Sequence, residues 1–532
     1  MGDYDAIVIG SGSGGLTAAL SLARAGKRVV VFEQHQLPGG YSQSFSLEGF
    51  RFSPGIHYIG QLGPGARLRR IYEGLGVAED LVFLELNPDG YDHVIVGDER
   101  FDIPKGQQRF SERLKQRFPS EAKGIDGYMR AVTSMANELQ WATPPRSLSE
   151  AAMLPVRMRA VLRYGLLPLD RFLDRFTQNP LLRAILSVQA GDHGMAPSRA
   201  SAALHAGLQD YYFDGGWYPQ GGGRAIPDAF VKQIVAHRGE VRLGRGVKRI
   251  LVERGRAIGV GLEDGTEVRA DIVVSNGDPG ETWAHLVERQ HVSARLLRRV
   301  HNLKYSVSTL SLFLAVDMDL RAAGLDSGNI WYNRSSDMEA AYRLGRLDDL
   351  SRVSEIPGLF FSATTLKDPS MRTDGLHTVE VMALASPRAF ARWQGSHSGK
   401  RPDDYVRLKQ HLADKMLDAV EQFVPGMRDH VVFSSTATPL TNMHYVRATE
   451  GAIYGAEKSL RNLGPFSFPV RTHIKGLYQC GASTIAAGIN GVTNSGLAAA
   501  VAALGCKEEE LLTANQTLRA RSAEDPESWR AP

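Results

Sequence analysis

At 532 residues the chain exceeds what one hydrophobic core supports, and two or more domains are expected. Apolar residues make up 43% and charged residues 23%, the proportions of a folded globular protein, while a formal charge of +4 provides no field that would draw the whole molecule to nucleic acid. Two cysteines, Cys480 and Cys506, exclude a disulfide framework and a multi-cysteine metal centre, and a reducing, cytoplasmic setting is expected.

The first apolar run, AIVIG at residues 6–10, is too short for an export leader and already belongs to a nucleotide motif. No stretch of about 18 apolar residues follows, so neither export nor a membrane span is expected. YDAIVIGSGSGGLTAALSLARAGKRVVVFE, residues 4–33, reads as strand, glycine-rich turn, small-residue helix and strand. Gly10, Gly12 and Gly15 satisfy G-x-G-x-x-G: a tight turn, room for a pyrophosphate against the backbone, and close packing of helix on strand. The helix amino end then offers free N–H groups to phosphates. Glu33 closes the second strand 18 residues after Gly15, where a carboxylate accepts from ribose hydroxyls and disfavours a 2′-phosphate. PGG at 38–40 either lays more backbone, Gly39 and Gly40, against the same pyrophosphate or forms an ordinary turn.

GFRFSPGIHYIG at 49–60 sets His57 and Tyr58 in an apolar loop. Histidine exchanges a proton near neutral pH and tyrosine can donate one, while a hydrogen-bonded structural histidine and a packed tyrosine are the more common occupants of such a loop. In 151–186, leucines alternate with Arg157, Arg159, Arg163, Arg171, Arg175 and Arg183. Such helices either lie in a membrane interface or cover a domain with a solvated basic face. GGWYPQGGGRAIPDAF at 215–230 places Trp217 and Tyr218 at a wall of the substrate space or in a turn between domains. Residues 241–279 alternate as hairpin strands and end in the strand-like DIVVSN. TNMHYVRATEGAIYG at 441–455 carries a second imidazole and phenol pair, His444 and Tyr445. GLYQCGASTIAAGINGVTNSGLAAAVAALG at 476–505 is a short strand, a glycine-bearing loop and a small-residue helix beginning near Gly491; Cys480 reads as a small core residue. No H-E-x-x-H or C-x-x-C occurs, and no metal is expected.

Four of these stretches together, the fingerprint with Glu33 and PGG, GFRFSPGIHYIG, GGWYPQGGGRAIPDAF and the carboxyl-terminal motif, resemble the FAD-dependent amine-oxidase-like superfamily. Within it they are similar to the phytoene desaturase, carotenoid isomerase and retinol saturase family, with GIHYIG and WYPQGG most like retinol saturases and their bacterial relatives. Tyr41 stands where many members carry arginine, and Ile485, Ala486 and Ala487 where many carry a proline-glycine run. The resemblance implies an α/β fold: a Rossmann-like FAD-binding domain from residues 1–70, 220–300 and 430–506, interleaved with an α+β substrate domain from 71–219 and 301–429. Residues 507–532 would be a peripheral tail.

It also implies FAD contacts at Gly10, Gly12, Gly14, Gly15, Glu33, Gly39, Gly40, Gly55, Ile56, Val247, Gly481, Gly488, Asn490 and Gly491. His57, Tyr58 and His444 become candidate catalytic groups, and Trp217, Tyr218 and Tyr445 candidate substrate contacts. The activity implied is oxidoreduction at a carbon–carbon double bond of a hydrophobic polyene, saturation before desaturation or cis-trans isomerisation. An amine oxidase, or a flavin-bound lipid-binding protein without activity, are the readings outside that class. No second glycine fingerprint supplies a nicotinamide site, so the electron partner stays open, and peripheral membrane contact is expected if the substrate is lipid-like.

Overall fold

A computed structural model describes residues 2–139, 148–397 and 399–530. The strands Ala6–Ile9, Val29–Phe32, Glu240–Arg242, Ile272–Ser275 and Leu477–Gln479 form one sheet in which every pair is parallel. The sequences AIVI, VVVF and IVVS are apolar throughout because both faces are covered, one by helices and the other by the antiparallel sheet of Val247–Glu253, Arg256–Leu262 and Glu267–Arg269. Numbered along the chain, the strands lie in the order 3-2-1-4-5, the half-sheet of a dinucleotide-binding fold, and its crevice falls where the order reverses, between the first strand and the fourth. Helix Ser13–Arg24 leaves the first strand and packs against helix Gly488–Leu504, which leaves the fifth.

Those two helices meet backbone to backbone. A Cβ on Gly496 would lie 2.1 Å from the carbonyl oxygen of Gly14, and one on Gly15 would lie 2.1 Å from that of Gly10. Alanine- and serine-rich sequence in both helices is the consequence, since larger side chains would hold them apart.

A second sheet has seven strands in the order Val431–Ala437, Ser308–Val316, His377–Ala385, Gly358–Ala363, Asn329–Asn333, Asp92–Val96 and Glu99–Ile103, antiparallel except between Asn329–Asn333 and Asp92–Val96. Its faces are sorted by the period of two. In His377–Ala385, Val379, Val381 and Ala383 pack in the core under helix Asp403–Val420, while Met382 and Leu384 line a cavity on the opposite face.

Three segments depart from simple expectation. Strand Val431–Ala437, within the piece 430–506 assigned above to the FAD domain, pairs with Ser308–Val316 in the seven-stranded sheet. The segment read as a peripheral tail is woven in. Arg519–Ser522 pairs with Val82–Glu85, Leu511, Leu518 and Ala523 are buried, and Glu508 accepts two hydrogen bonds from Arg67; residues 531 and 532 lie outside the described residues. In 151–186 only the first half is open: Met153, Val156, Leu162 and Leu166 are exposed, whereas Leu169, Phe172, Leu173, Leu182 and Ile185 are core. Among the described residues no helix is long and apolar enough to cross a membrane.

The helix contact sets a stability test. Gly496→Ala places a methyl against backbone that cannot rotate away, and we expect a loss of about 1–3 kcal/mol in urea unfolding. Gly395→Ala, where no atom lies within 4 Å of the new methyl, should leave the midpoint unchanged. Equal midpoints for the two variants would contradict the contact.

Candidate active site

The fingerprint turn is built from its glycines. Gly10 has φ +89, a conformation glycine adopts without strain, and Gly12 leaves 2.7 Å between a would-be Cβ and Nδ2 of Asn276. No side chain caps helix Ser13–Arg24, whose first-turn amides face a crevice of about 270 Å³. Gly39 bridges to Gly12 and its N–H donates to the Ser11 carbonyl at 3.1 Å, so the PGG loop lies along the fingerprint.

Glu33 lines the same crevice. Its Oε2 accepts from the amide and hydroxyl of Ser11 at 2.8 and 2.7 Å, and its Oε1 from the amide of His35 at 2.8 Å. Three donors fix the carboxylate, and Val247, buried, stands in the same wall. An uncapped helix end, a glycine turn and a fixed acid are the donors and acceptor that a pyrophosphate and a ribose diol need, so the residues present fit a dinucleotide.

At Gly55, Ile453, Tyr454, Gly488 and Ile489 the crevice meets a second cavity of about 1310 Å³. Helix Gly488–Leu504 begins here, three residues ahead of the expected Gly491 and also without a side-chain cap. Gly14 and Gly481 line the crevice. Ile56, Asn490 and Gly491 line the larger cavity instead.

The cavity walls are chiefly apolar, among them Val188, Leu204, Trp331, Phe360 and Met382, with polar and charged groups such as Arg67, Asp192, Asp210 and Lys458 set into them. His57 is buried, and its Nε2 lies 2.7 Å from Oε2 of Glu380, a carboxylate that sequence inspection did not single out. Glu380 Oε1 accepts from the amide of Ser53 at 2.6 Å. The Tyr58 ring stacks on Tyr212 at 4.4 Å, and its hydroxyl lies 2.5 Å from Asp192 and 3.1 Å from Asp92. Burial, then the nearby Asp192 and Asp92 charges, push the Tyr58 phenol far above its ordinary value. Lys367 is fully buried and donates to the His57 carbonyl at 2.6 Å and to Ser362 Oγ at 2.7 Å; burial lowers its ammonium to about 7. Lys458 lines the cavity, donates to the Thr484 carbonyl at 3.0 Å, and is likewise lowered by burial to about 7.

Four expected residues lie elsewhere. His444 is exposed and lines neither cavity, because it sits on the outer side of helix Pro439–Val446. Tyr445 lines the crevice beside His35, with ring centroids 5.2 Å apart, and does not line the cavity. Trp217 and Tyr218 belong to strand Trp217–Pro219, which pairs with Val82–Glu85 behind the wall; the Tyr218 ring carries Lys367 Nζ at 5.5 Å. Cys480 is buried beside Asn276, as a core residue would be. Among the described residues no group of three or more His, Cys, Asp or Glu side chains is placed to hold a metal ion.

His193 lines the cavity with both ring nitrogens unpartnered, and His205 packs 6.0 Å away. Burial holds them neutral, at about 3 and about 4 against an ordinary 6.5. Below pH 6.5 the unfolded chain takes up protons that the folded chain refuses, so stability falls with decreasing pH from about 6.5 to about 4. Relative to wild type, His193→Leu should lose less stability between pH 7 and 4.5 in urea titrations, by at most about 1.4 kcal/mol per pH unit. Parallel pH profiles would contradict the assignment.

Comparison with known proteins bears on what the crevice holds. The family described as flavin containing amine oxidoreductase matches residues 13–504. An all-trans-retinol 13,14-reductase of Danio rerio is 31% identical over 522 residues, spanning 93% of this chain and 85% of the relative. A chloroplastic prolycopene isomerase of Daucus carota is 26% identical over 494 residues, spanning 90% of this chain and 76% of that one. An oxidoreductase from Methanosarcina mazei shares the fold, with TM-score 0.64 at 18% identity over 93% of this chain and 99% of the other. With a crevice that fits a dinucleotide and a match over nearly its whole length, the chain belongs to the family of flavin containing amine oxidoreductases and is an FAD-dependent oxidoreductase.

Proposed function

We propose that this protein reduces a carbon–carbon double bond of a hydrophobic polyene, a retinoid or a carotenoid-like isoprenoid. The observation that carries the reading is the junction of the two cavities. The crevice opens at Gly55 and Gly488 into a chiefly apolar space of about 1310 Å³, and among the polar groups in its wall His57, Tyr58 and Asp192 stand together near that opening's Gly55 side. A long apolar ligand with one reacting segment suits that distribution. Similarity to the 13,14-reductase of Danio rerio supports reduction, and similarity to the prolycopene isomerase of Daucus carota supports a redox-neutral isomerisation as second reading.

In this proposal the phosphates lie against Gly10, Gly12, Gly14, Gly15, Gly39 and Gly40, the adenosine ribose at Glu33, and the adenine beside Val247. The flavin ring lies where Gly55, Ile56, Gly481, Gly488, Asn490 and Gly491 border the junction. When bound and reduced, FAD supplies hydride. The chain's own residues exclude water, align the double bond and supply a proton. His57, with Nε2 committed to Glu380, holds a fixed polar edge at the junction. In this proposal the FAD-binding and substrate-binding regions expected above meet at this junction, and Val161–Gly165 packs against helix Ala202–Phe213 behind the cavity wall.

The stretch 153–166 supports a finer reading, contact with a lipid surface. Met153, Val156, Leu162 and Leu166 are 46 to 67% exposed among Arg157, Arg159 and Arg163. Apolar side chains ringed by arginines match an interface with anionic headgroups. Behind them, helix Ala202–Phe213 contributes Ala203, Leu204 and Leu208 to the cavity wall.

The test of activity is anaerobic. Protein with chemically reduced flavin is mixed with retinoids, carotenoids and unsaturated fatty acids, and flavin reoxidation is followed together with product mass. Reoxidation by a polyene with a gain of two hydrogens is expected; a changed isomer of unchanged mass supports the second reading, and reduction of the oxidised enzyme by amines alone overturns both. His57→Gln should retain FAD and lose turnover on the order of 10-fold or more, whereas unchanged turnover makes His57 a packing residue. In sedimentation with phosphatidylglycerol vesicles, wild type should pellet and the combined serine variant of Met153, Val156, Leu162 and Leu166 should stay in the supernatant. Equal partitioning would remove the lipid contact.

A further inference from the structure

Tyr58 has one hydroxyl hydrogen and stands between two carboxyl groups, its oxygen 2.5 Å from Asp192 Oδ2 and 3.1 Å from Asp92 Oδ2. A phenol donates once. Were both carboxyls ionised, one of these contacts would set oxygen against anionic oxygen with no hydrogen between them, in an interior that screens repulsion poorly. One carboxyl therefore holds a proton.

The neighbours decide which. Asp92 has no exposed surface, and its Oδ2 accepts from Gln189 Nε2 at 2.9 Å while its Oδ1 accepts from Asn329 Nδ2 at 3.2 Å. The Asn329 amide is turned that way because its Oδ1 accepts from the Lys367 ammonium. Two amide donors favour the anion on Asp92. Asp192 has only the Tyr58 hydroxyl as hydrogen-bond partner among the described residues. The other titratable groups near it are Tyr91, Tyr342, Tyr454 and, from helix Ala202–Phe213, Tyr211 and Tyr212, none of which carries a positive charge. Burial, then the Asp92 charge, raises the Asp192 carboxyl well above the usual carboxylate range, and burial lifts Asp92 to about 6. The proton sits on Asp192, which donates to the Tyr58 oxygen while Tyr58 donates to Asp92.

Asp192 is also the member of this set with part of its surface uncovered, and it lines the cavity, as Asp92 does not. Granting the polyene reduction argued above, we propose that Asp192 is the acid that protonates the alkene, with Tyr58 as its positioning residue and Asp92 as the fixed anion behind it. In the step, the Asp192 O–H bond breaks and its hydrogen forms a C–H bond at one alkene carbon. The other carbon takes hydride from reduced flavin, so the double bond gains two hydrogens, the flavin is left oxidised and Asp192 is left a carboxylate. The Tyr58 hydrogen then turns to Asp192 across the 2.5 Å contact, and water entering the cavity restores the proton.

The proton can be seen without turnover. Infrared spectra of the flavin-loaded protein at pH 8, compared in H2O and D2O, should contain a protonated carboxyl band that Asp192→Asn removes. Tyr58→Phe should move that band to the position of a carboxyl without a hydrogen bond. Absence of the band in wild type, or its survival in Asp192→Asn, overturns the assignment. In turnover, Asp192→Asn should bind FAD and polyene as wild type does yet reduce the polyene about 100-fold more slowly or worse, with part of the rate recovered in Asp192→Glu. A variant within a few-fold of an active wild type contradicts the role of Asp192 alone. A wild type that reduces no polyene contradicts the reading on which the role rests.

Discussion

The close approach of two helices at Gly14 and Gly496 fixes where everything else can be. Both helices start at the same edge of the parallel sheet, one after strand Ala6–Ile9 and one after Leu477–Gln479, and both begin without a side-chain cap. Because no side chain separates them, their amino ends lie close together and the crevice runs between their donors. That placement explains why the chain commits glycine and serine to helices that, by propensity alone, larger residues such as leucine would serve better. The crevice along the fingerprint reaches Gly488, and there the large cavity opens.

The second constraint is electrostatic. Behind the cavity wall lie Lys367, Glu380 and Asp92, each almost without exposed surface. Such groups are tolerated only when every charge has partners. The chain meets this with one connected set: Lys367 on Asn329, Ser362 and the His57 carbonyl, Asn329 on Asp92, and Glu380 between His57 and the Ser53 amide. The set ties the loop bearing His57 and Tyr58 to the seven-stranded sheet, and it leaves Asp192 with a single partner facing the substrate space. Structural demand and chemical opportunity therefore arise from the same residues.

Local chemistry made much of this legible in the sequence. Gly10, Gly12, Gly15 and Glu33 announce their roles because a turn, a close approach and a strand-end acid each require a particular residue at a fixed spacing. The loop carrying His57 and Tyr58 lines the large cavity, but its partners were invisible in the sequence. Glu380 lies in HTVEVMALA and Asp92 in YDHVIV, where a strand acid ordinarily marks a solvent face. Only the pairing of strands distant in sequence turns those faces inward. His444 and Tyr445 mislead for the converse reason: an imidazole beside a phenol looks like a site, yet one helix carries His444 to the surface and Tyr445 to the crevice. The charged residues after Lys507 suggested a loose end, and the pairing of Arg519–Ser522 with Val82–Glu85 depends on a partner more than four hundred residues earlier.

Together these features describe a flavin enzyme whose large cavity, chiefly apolar, carries the His57–Glu380 pair and the Asp192 carboxyl in its wall. The most direct test is a crystal structure with FAD and an unreactive polyene analogue bound. The account requires the flavin ring at the junction formed by Gly55 and Gly488, with the polyene running through the large cavity past His57 and Asp192. A polyene seated anywhere else on the molecule, or a flavin ring outside that junction, would contradict it.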